Sequence, residues 1–279
     1  MENKDTFVKF EELLTIKRYS PNSIKVYLHM VYSFQKFVGN TPIERLDNKY
    51  VLLKVITYIK HRNYGSSSQK QLLGALALFY RELFKRQVDL SSIYPTQKEY
   101  FLPEILSKEE VGKLLKNTAN LKHLTILKTI YALGLRRSEV LDLKINDIDG
   151  KRKLVHIKNA KGKKDRILPL SDKLLTGLRE YYRAYKPTEY MFYGANRSQY
   201  SVTSLRKVFL NACKRSGIRK NVTLHSLRHA YATHLMDMGT DVRMIQELLG
   251  HNSIKTTMRY THVTIRSIKD VPSPLDFLE

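Results

Sequence analysis

Apolar positions fall at helical spacing through the first third of the chain, in Ser20 to Phe37 and again in Ser67 to Tyr80, with capping residues punctuating the pattern. One helix ends near Lys17. A second is opened by Ser20-Pro21, because proline suits a first helical turn, and is stopped at Gly39. A third runs from about Asn48 to His61, and a fourth opens within Ser66-Ser67-Ser68. The pattern predicts an all-helical unit over residues 1–94. Pro95 and Pro103 enclose a polar stretch that reads as a linker over residues 95–104. Ser107-Lys108-Glu109-Glu110 has the form of a capping box and begins a second unit over residues 105–262. There Leu154-Val155-His156-Ile157 and Arg166-Ile167-Leu168-Pro169-Leu170 are apolar-rich strand candidates flanking a polar turn that contains Gly162, which is a hairpin signal. The expected fold is mainly α with a small β-hairpin or sheet, the second unit being α+β. Residues 263–279 form a tail carrying Ile265, Ile268, Val271 and Leu275-Asp276-Phe277-Leu278, apolar enough that it must dock somewhere.

The segment from Thr223 to Thr261 carries the chemistry. His225 and Arg228 stand three apart and share one helix face. Thr223 can cap that helix, which puts His225 in a first turn whose unpaired N–H groups and positive dipole end favour a phosphate. His251 follows a Leu-Leu-Gly helix ending, with Gly250 a left-handed C-cap, so its ring projects from a loop. A short polar helix starting near Asn252 or Ser253 then carries Tyr260 at its far end, able to deliver a phenol to a bound phosphate. Taken one at a time, these residues have ordinary structural uses. Their order and co-occurrence are what point to a site.

These residues resemble the second active-site box of the tyrosine recombinase and integrase family, which includes Xer-type recombinases and phage integrases: H-x-x-R, then LGH, then Y-T-H. Two upstream elements are similar as well. Tyr131 to Glu139 reads YALGLRRSE, and the resemblance makes Arg136 the first catalytic arginine with Glu139 as its supporting acid. The hairpin Leu154 to Leu170 resembles the family's K-G-x-K-x-R turn and singles out Lys161 as the catalytic lysine, with Lys158, Lys163 and Lys164 nearby. The resemblance covers nearly the whole chain, specific in the second unit and loose in the first. It implies a small helical DNA-binding domain joined to a catalytic domain, the two closing on duplex DNA as a C-shaped clamp. It also implies a covalent 3′-phosphotyrosyl intermediate formed by Tyr260, with Lys161 as the general acid for the departing 5′ oxygen and His251 as a phosphate hydrogen-bond donor. No metal or cofactor is called for.

The chemistry explains the residue types. A phosphoryl-transfer transition state spreads charge over non-bridging oxygens, and the guanidinium forks of Arg136 and Arg228 match it with paired, charge-assisted bonds. An unperturbed phenol has a pKa of about 10, so Tyr260 needs a neighbouring base or an anion-stabilising field. His225 is the candidate base. A zinc reading of His225, His229 and His234 lacks the glutamate of a metalloprotease helix and sets a cation beside Arg228, so it is set aside.

Charge widens the picture to the partner. The net charge is +23, of which residues 1–104 carry +6 and the remainder +17, so the excess lies with the proposed site and fits double-stranded DNA. A single cysteine, Cys213, excludes an intramolecular disulfide framework, suits a reducing cytoplasm and is expected in the core. The N-terminus lacks a signal-peptide pattern, and no run approaches a membrane span. The expected function is site-specific recombination by a homotetramer on two DNA sites, with or without a partner recombinase, the tail exchanged between protomers. A type IB topoisomerase would share the phosphotyrosine chemistry but pair no sites. A DNA-binding module with a decayed site conflicts with the complete residue set. A phage-type integrase with an added arm-site domain conflicts with the roughly twenty residues ahead of the first Ser-Pro helix start.

Overall fold

A computed structural model of the protein describes residues 2–96, 104–158, 165–195, 198–251 and 253–258. The chain divides into two compact units, Met1–Phe101 and Leu102–Glu279.

The first unit is built from α1 (Glu2–Ile16), α2 (Pro21–Val38), α3 (Asn48–Arg62) and α4 (Ser66–Phe84). Ser20 caps α2 by accepting from the Ser23 amide, with Pro21 at the first turn, and Gly39 ends it at φ 94°. Asp47 caps α3 through the Tyr50 amide. The amphipathic stripes meet in a core of Phe10, Leu14, Val31, Phe34, Val55, Leu72, Leu76 and Phe79, all fully buried. Phe79 packs edge-on against Phe10 at 5.3 Å. Polar groups in this core are few. Gln35 donates to the carbonyls of Gly39 and Thr41 and accepts from the Ile43 amide, fastening the turn that follows α2. The Tyr80 hydroxyl donates to Ile43 O at 2.8 Å.

In the second unit the capping box at Ser107 opens α5 (Lys108–Lys116), the Ser107 amide donating to Glu110 at 2.7 Å. There follow α6 (Leu121–Leu133), α7 (Arg137–Asp142), β1 (Ile148–Asp149), β2 (Leu154–Ile157), β3 (Arg166–Pro169), α8 (Asp172–Tyr185), α9 (Val202–Arg215), α10 (Leu224–Asp237), α11 (Val242–Leu249) and α12 (Ile254–Thr257). The hairpin pairs antiparallel from Leu154 opposite Pro169 to Ile157 opposite Arg166, and β1 adds to its β2 edge to make a sheet in the order β1-β2-β3. Val155, Ile157 and Leu168 turn inward against α6, α8 and α9, whose core includes Ile126, Ile130, Leu178, Leu205 and Phe209. Cys213 lies in this core, and burial pushes its thiol up to about 11. No described helix is long and apolar enough to cross a membrane.

Candidate active site

The site assembles around the C-terminal ends of α6 and α11. Gly134 ends α6 at φ 59° and a Cβ there would fall 2.7 Å from Tyr231 Cε1, so the sharp exit from α6 requires glycine. Two residues on, Arg136 caps α7 in extended conformation. Its amide donates to Glu139 Oε2 at 2.8 Å and its Nη1 to Oε1 at 2.7 Å, so Glu139 fixes both the backbone and the side chain of Arg136. Arg228, near the start of α10, is fully buried. Its Nη1 donates to Gly134 O at 2.7 Å and its Nη2 to Leu249 O at 2.6 Å. The sequence expectation gave both forks to a phosphate, whereas in this structure the Arg228 fork ties α6 to α11 and the Arg136 fork is shared between Glu139 and Gly250 O.

A third arginine completes the cluster. Arg166 at the start of β3 is buried, and its Nη1 and Nη2 form a bidentate pair with Glu139 at 2.9 and 2.7 Å, while Nε donates to Leu248 O at 2.8 Å. Arg136 Nη2 donates to Gly250 O at 3.0 Å. Three consecutive carbonyls at the end of α11, those of Leu248, Leu249 and Gly250, are thus each held by a different arginine, at the negative end of the helix dipole. Burial opposes ionisation of Glu139, but Arg166 and then Arg136 overcome it and hold the carboxyl down at about 2.

The histidines line the same place. Thr223 starts α10, its amide donating to Ser226 Oγ at 3.0 Å, so His225 lies in the first turn. Its pKa is lowered, first by burial and then by Arg228 and Arg136. Gly250 ends α11 at φ 61° and releases His251 into the loop, as the Leu-Leu-Gly pattern predicts. His251 Nδ1 lies 2.9 Å from the Thr257 hydroxyl on α12, and burial followed by Arg228 and Arg136 depresses its pKa to about 4. Both rings are therefore neutral at neutral pH. His234 stands apart from them, 2.9 Å from the Tyr131 hydroxyl, and the described residues contain no group of three His, Cys, Asp or Glu able to hold a metal ion.

The structure therefore brings together Arg136, Glu139, His225, Arg228 and His251 from three separated stretches of sequence. Lys161 and Tyr260 lie outside the described residues, as does the tail 263–279. The short helix expected to start near Asn252 or Ser253 begins as α12, with Ser253 at its N-cap position but no side-chain capping bond, and its expected far end at Tyr260 lies outside the described residues. Sequence reasoning missed Thr257 and gave no role to Arg166, the closing arginine of the K-G-x-K-x-R resemblance. Arg166 did leave a signal, since it occupies an inward strand position in phase with Leu168.

Comparison with known proteins identifies the family. Residues 104–266 match the model of the phage integrase family, and residues 7–90 match the phage integrase N-terminal SAM-like domain. Tyrosine recombinase XerA of Thermococcus kodakarensis is 31% identical over 285 residues, covering 100% of this chain and 98% of the relative. The crystal structure of a XerA recombinase superposes with a TM-score of 0.56 at 28% identity, covering 94% of each chain. A lambda integrase tetramer bound to a Holliday junction shares the fold, with a TM-score of 0.75 at 17% identity over 92% of this chain and 76% of that one. The chain belongs to the phage integrase family and is a tyrosine-type site-specific recombinase.

Proposed function

We propose that this site cleaves and rejoins duplex DNA with Tyr260 as nucleophile, and the observation that carries the reading is the convergence of Arg136 and Arg228 with two neutral histidines. The scissile phosphate lies against the arginines, which stabilise the charge developing on its non-bridging oxygens. Tyr260 Oη attacks phosphorus and gives its proton to neutral His225, whose depressed pKa leaves it able to accept. The bond from phosphorus to the 5′ oxygen breaks, that oxygen takes the electron pair, and Lys161 supplies its proton. The product is a 3′-phosphotyrosyl linkage and a free 5′ hydroxyl. Attack by a second strand's 5′ hydroxyl reverses each transfer and frees the tyrosine. When the Thr257 hydroxyl donates to His251 Nδ1, the ring proton sits on Nε2, the nitrogen that then donates to the phosphate.

The partner is double-stranded DNA, in keeping with the net charge of +23. Residues 1–94 serve as the core-binding domain, 95–104 as the linker and 105–262 as the catalytic domain, working in the cytoplasm. The working assembly is a homotetramer on two sites, alone or with a partner recombinase, the tetramer being supported by the lambda integrase tetramer on a Holliday junction, and residues 263–279 dock on the neighbouring protomer. A deletion after Val263 that leaves synapsis and recombination unchanged sinks the docking element.

The decisive experiment incubates the protein and its Tyr260→Phe variant with nicked duplexes made from the DNA flanking its gene, then looks for a protease-sensitive 3′ adduct on a denaturing gel. The adduct is expected with the natural protein and lost in the variant. Tight binding with no adduct from either overturns the assignment.

A further inference from the structure

Arg166 touches none of the reacting groups assigned above, yet it occupies the centre of the ionic cluster. A carboxylate offers about four lone-pair sites. In Glu139 they are taken by the Arg136 amide, Arg136 Nη1, and Arg166 Nη1 and Nη2. Arg228 Nη1 stands 3.8 Å from Oε2, beyond hydrogen-bond reach, and donates to Gly134 O instead. Without Arg166, half of the carboxylate's bonding capacity would open toward the nearest cations, which are the two phosphate-binding arginines. Glu139 would also cancel one of their two charges. With Arg166 present its single negative charge is already balanced.

We propose that Arg166 is a positioning residue that fills the remaining acceptor sites of Glu139 and balances its charge, so that the cluster of three arginines and one glutamate keeps a net charge of two for the phosphate. The same side chain steadies the loop bearing His251: its Nε holds Leu248 O, and its aliphatic stem lies 3.2 Å from where a Cβ on Gly250 would project. This inference rests on the phosphate-site reading above but needs neither Tyr260 nor a known DNA target.

Inorganic phosphate is the probe. Titrated into the full-length protein, it shifts the His225 and His251 ring resonances in NMR spectra, assigned by substitution. Phosphate binding weakens about tenfold in Arg166→Met, the effect expected of one net charge in a partly screened site. In the Glu139→Gln/Arg166→Met double variant, which removes both charges, affinity returns to within about threefold of the natural protein, since charge balance is restored. Arg166→Lys keeps the charge without the fork and stays within about threefold as well.

Natural-strength binding by Arg166→Met overturns the proposal, as does the absence of any phosphate response in the natural protein. A double variant as weak as Arg166→Met also overturns it, because a merely structural role predicts no recovery. If Arg166→Met does not fold, the other two variants decide: a tenfold loss in both rejects charge balancing. The phosphate pattern with no covalent adduct on gene-flanking DNA leaves Arg166 its role and removes the recombinase assignment of Tyr260, so the two readings fail separately.

Discussion

The two units of this chain solve the problem of a stable interior in opposite ways. Residues Met1–Phe101 enclose rings and aliphatic side chains, with Gln35 and the Tyr80 hydroxyl as polar guests that bind backbone groups. Residues Leu102–Glu279 place Glu139, Arg166 and the fully buried Arg228 inside the fold. Desolvating such ions costs several kcal/mol each and rarely improves stability over an apolar core. What the cluster gives in return is a fixed array of cationic donors at one point, which an apolar core cannot supply. The first unit is built to hold a shape, and the second holds a charge distribution.

Two truncations test that contrast most strongly. Phe79→Ala removes a fully buried ring from the first unit and is expected to cost about 3–5 kcal/mol. Glu139→Ala leaves Arg136 and Arg166 without their carboxylate and is expected to cost a similar ~3–5 kcal/mol. Solution conditions separate them. Excess sulfate, an anion able to replace the missing charge, recovers part of the Glu139→Ala loss and none beyond its general salt effect in Phe79→Ala. Regional hydrogen exchange reads both outcomes, and equal recovery in the two variants erases the distinction.

Acid sharpens the comparison. His251 titrates at about 4 in the fold against an ordinary 6.5, so between those values the unfolded chain binds the extra proton and stability falls as pH is lowered. Glu139, held at about 2 against 4.5, extends the loss from pH 4.5 down through 2, where the folded carboxyl finally protonates. Each contributes up to about 3 kcal/mol. Protection from hydrogen exchange in residues 104–251, corrected for the pH dependence of the intrinsic rate, is therefore expected to fall between pH 7 and pH 4, and His251→Gln shrinks that fall while the lowered His225 and His234 keep a part of it. An undiminished pH dependence in the variant removes His251 as its source.

How much of this was legible beforehand follows the same division. In the first unit the helices are written in caps, Ser20-Pro21 and Gly39 bounding α2 as they predict, because capping is local. The core-facing stripes are legible too, but they name no chemistry. In the second unit His225, Arg228 and His251 are legible by type and spacing, and Arg136 by its box, since a phosphate demands those groups. Arg166 was legible as the last residue of the K-G-x-K-x-R resemblance but its role was not, because its partner lies 27 residues away on α7 and that role exists only once the strand faces inward. Thr257 was hidden because its contact with His251 depends on how α12 returns. The carbonyls of Leu248, Leu249 and Gly250 have no side-chain signal at all. Strand β1, two residues long, is too short for any periodicity.

Helix endings supply the smallest test of the contrast. In the first unit α3 and α4 end in left-handed Asn63 (φ 47°) and Lys85 (φ 53°), so ordinary side chains are accepted where glycine would be easiest. In the second unit α8 likewise ends in left-handed Lys186 (φ 44°), but after α6 and α11, beside the site, the left-handed positions are Gly134 and Gly250, and there the neighbours decide. A Cβ on Gly134 would fall 2.7 Å from Tyr231 Cε1, and one on Gly250 would fall 3.2 Å from Arg166 Cδ, a side chain that Glu139 and Leu248 O hold in place. Gly134→Ala is expected to cost about 2–3 kcal/mol in melting experiments and Gly250→Ala about 1–2 kcal/mol, with Lys85→Gly within about 1 kcal/mol of the natural chain. Gly250→Ala carries the more specific consequence, because pushing on Arg166 disturbs the clamp on Glu139. Its phosphate affinity should fall with its stability, whereas Lys85→Gly leaves phosphate binding untouched. If Gly250→Ala costs stability with no change in phosphate binding, the end of α11 serves the fold alone, and the difference between the two units is one of packing and not of charge.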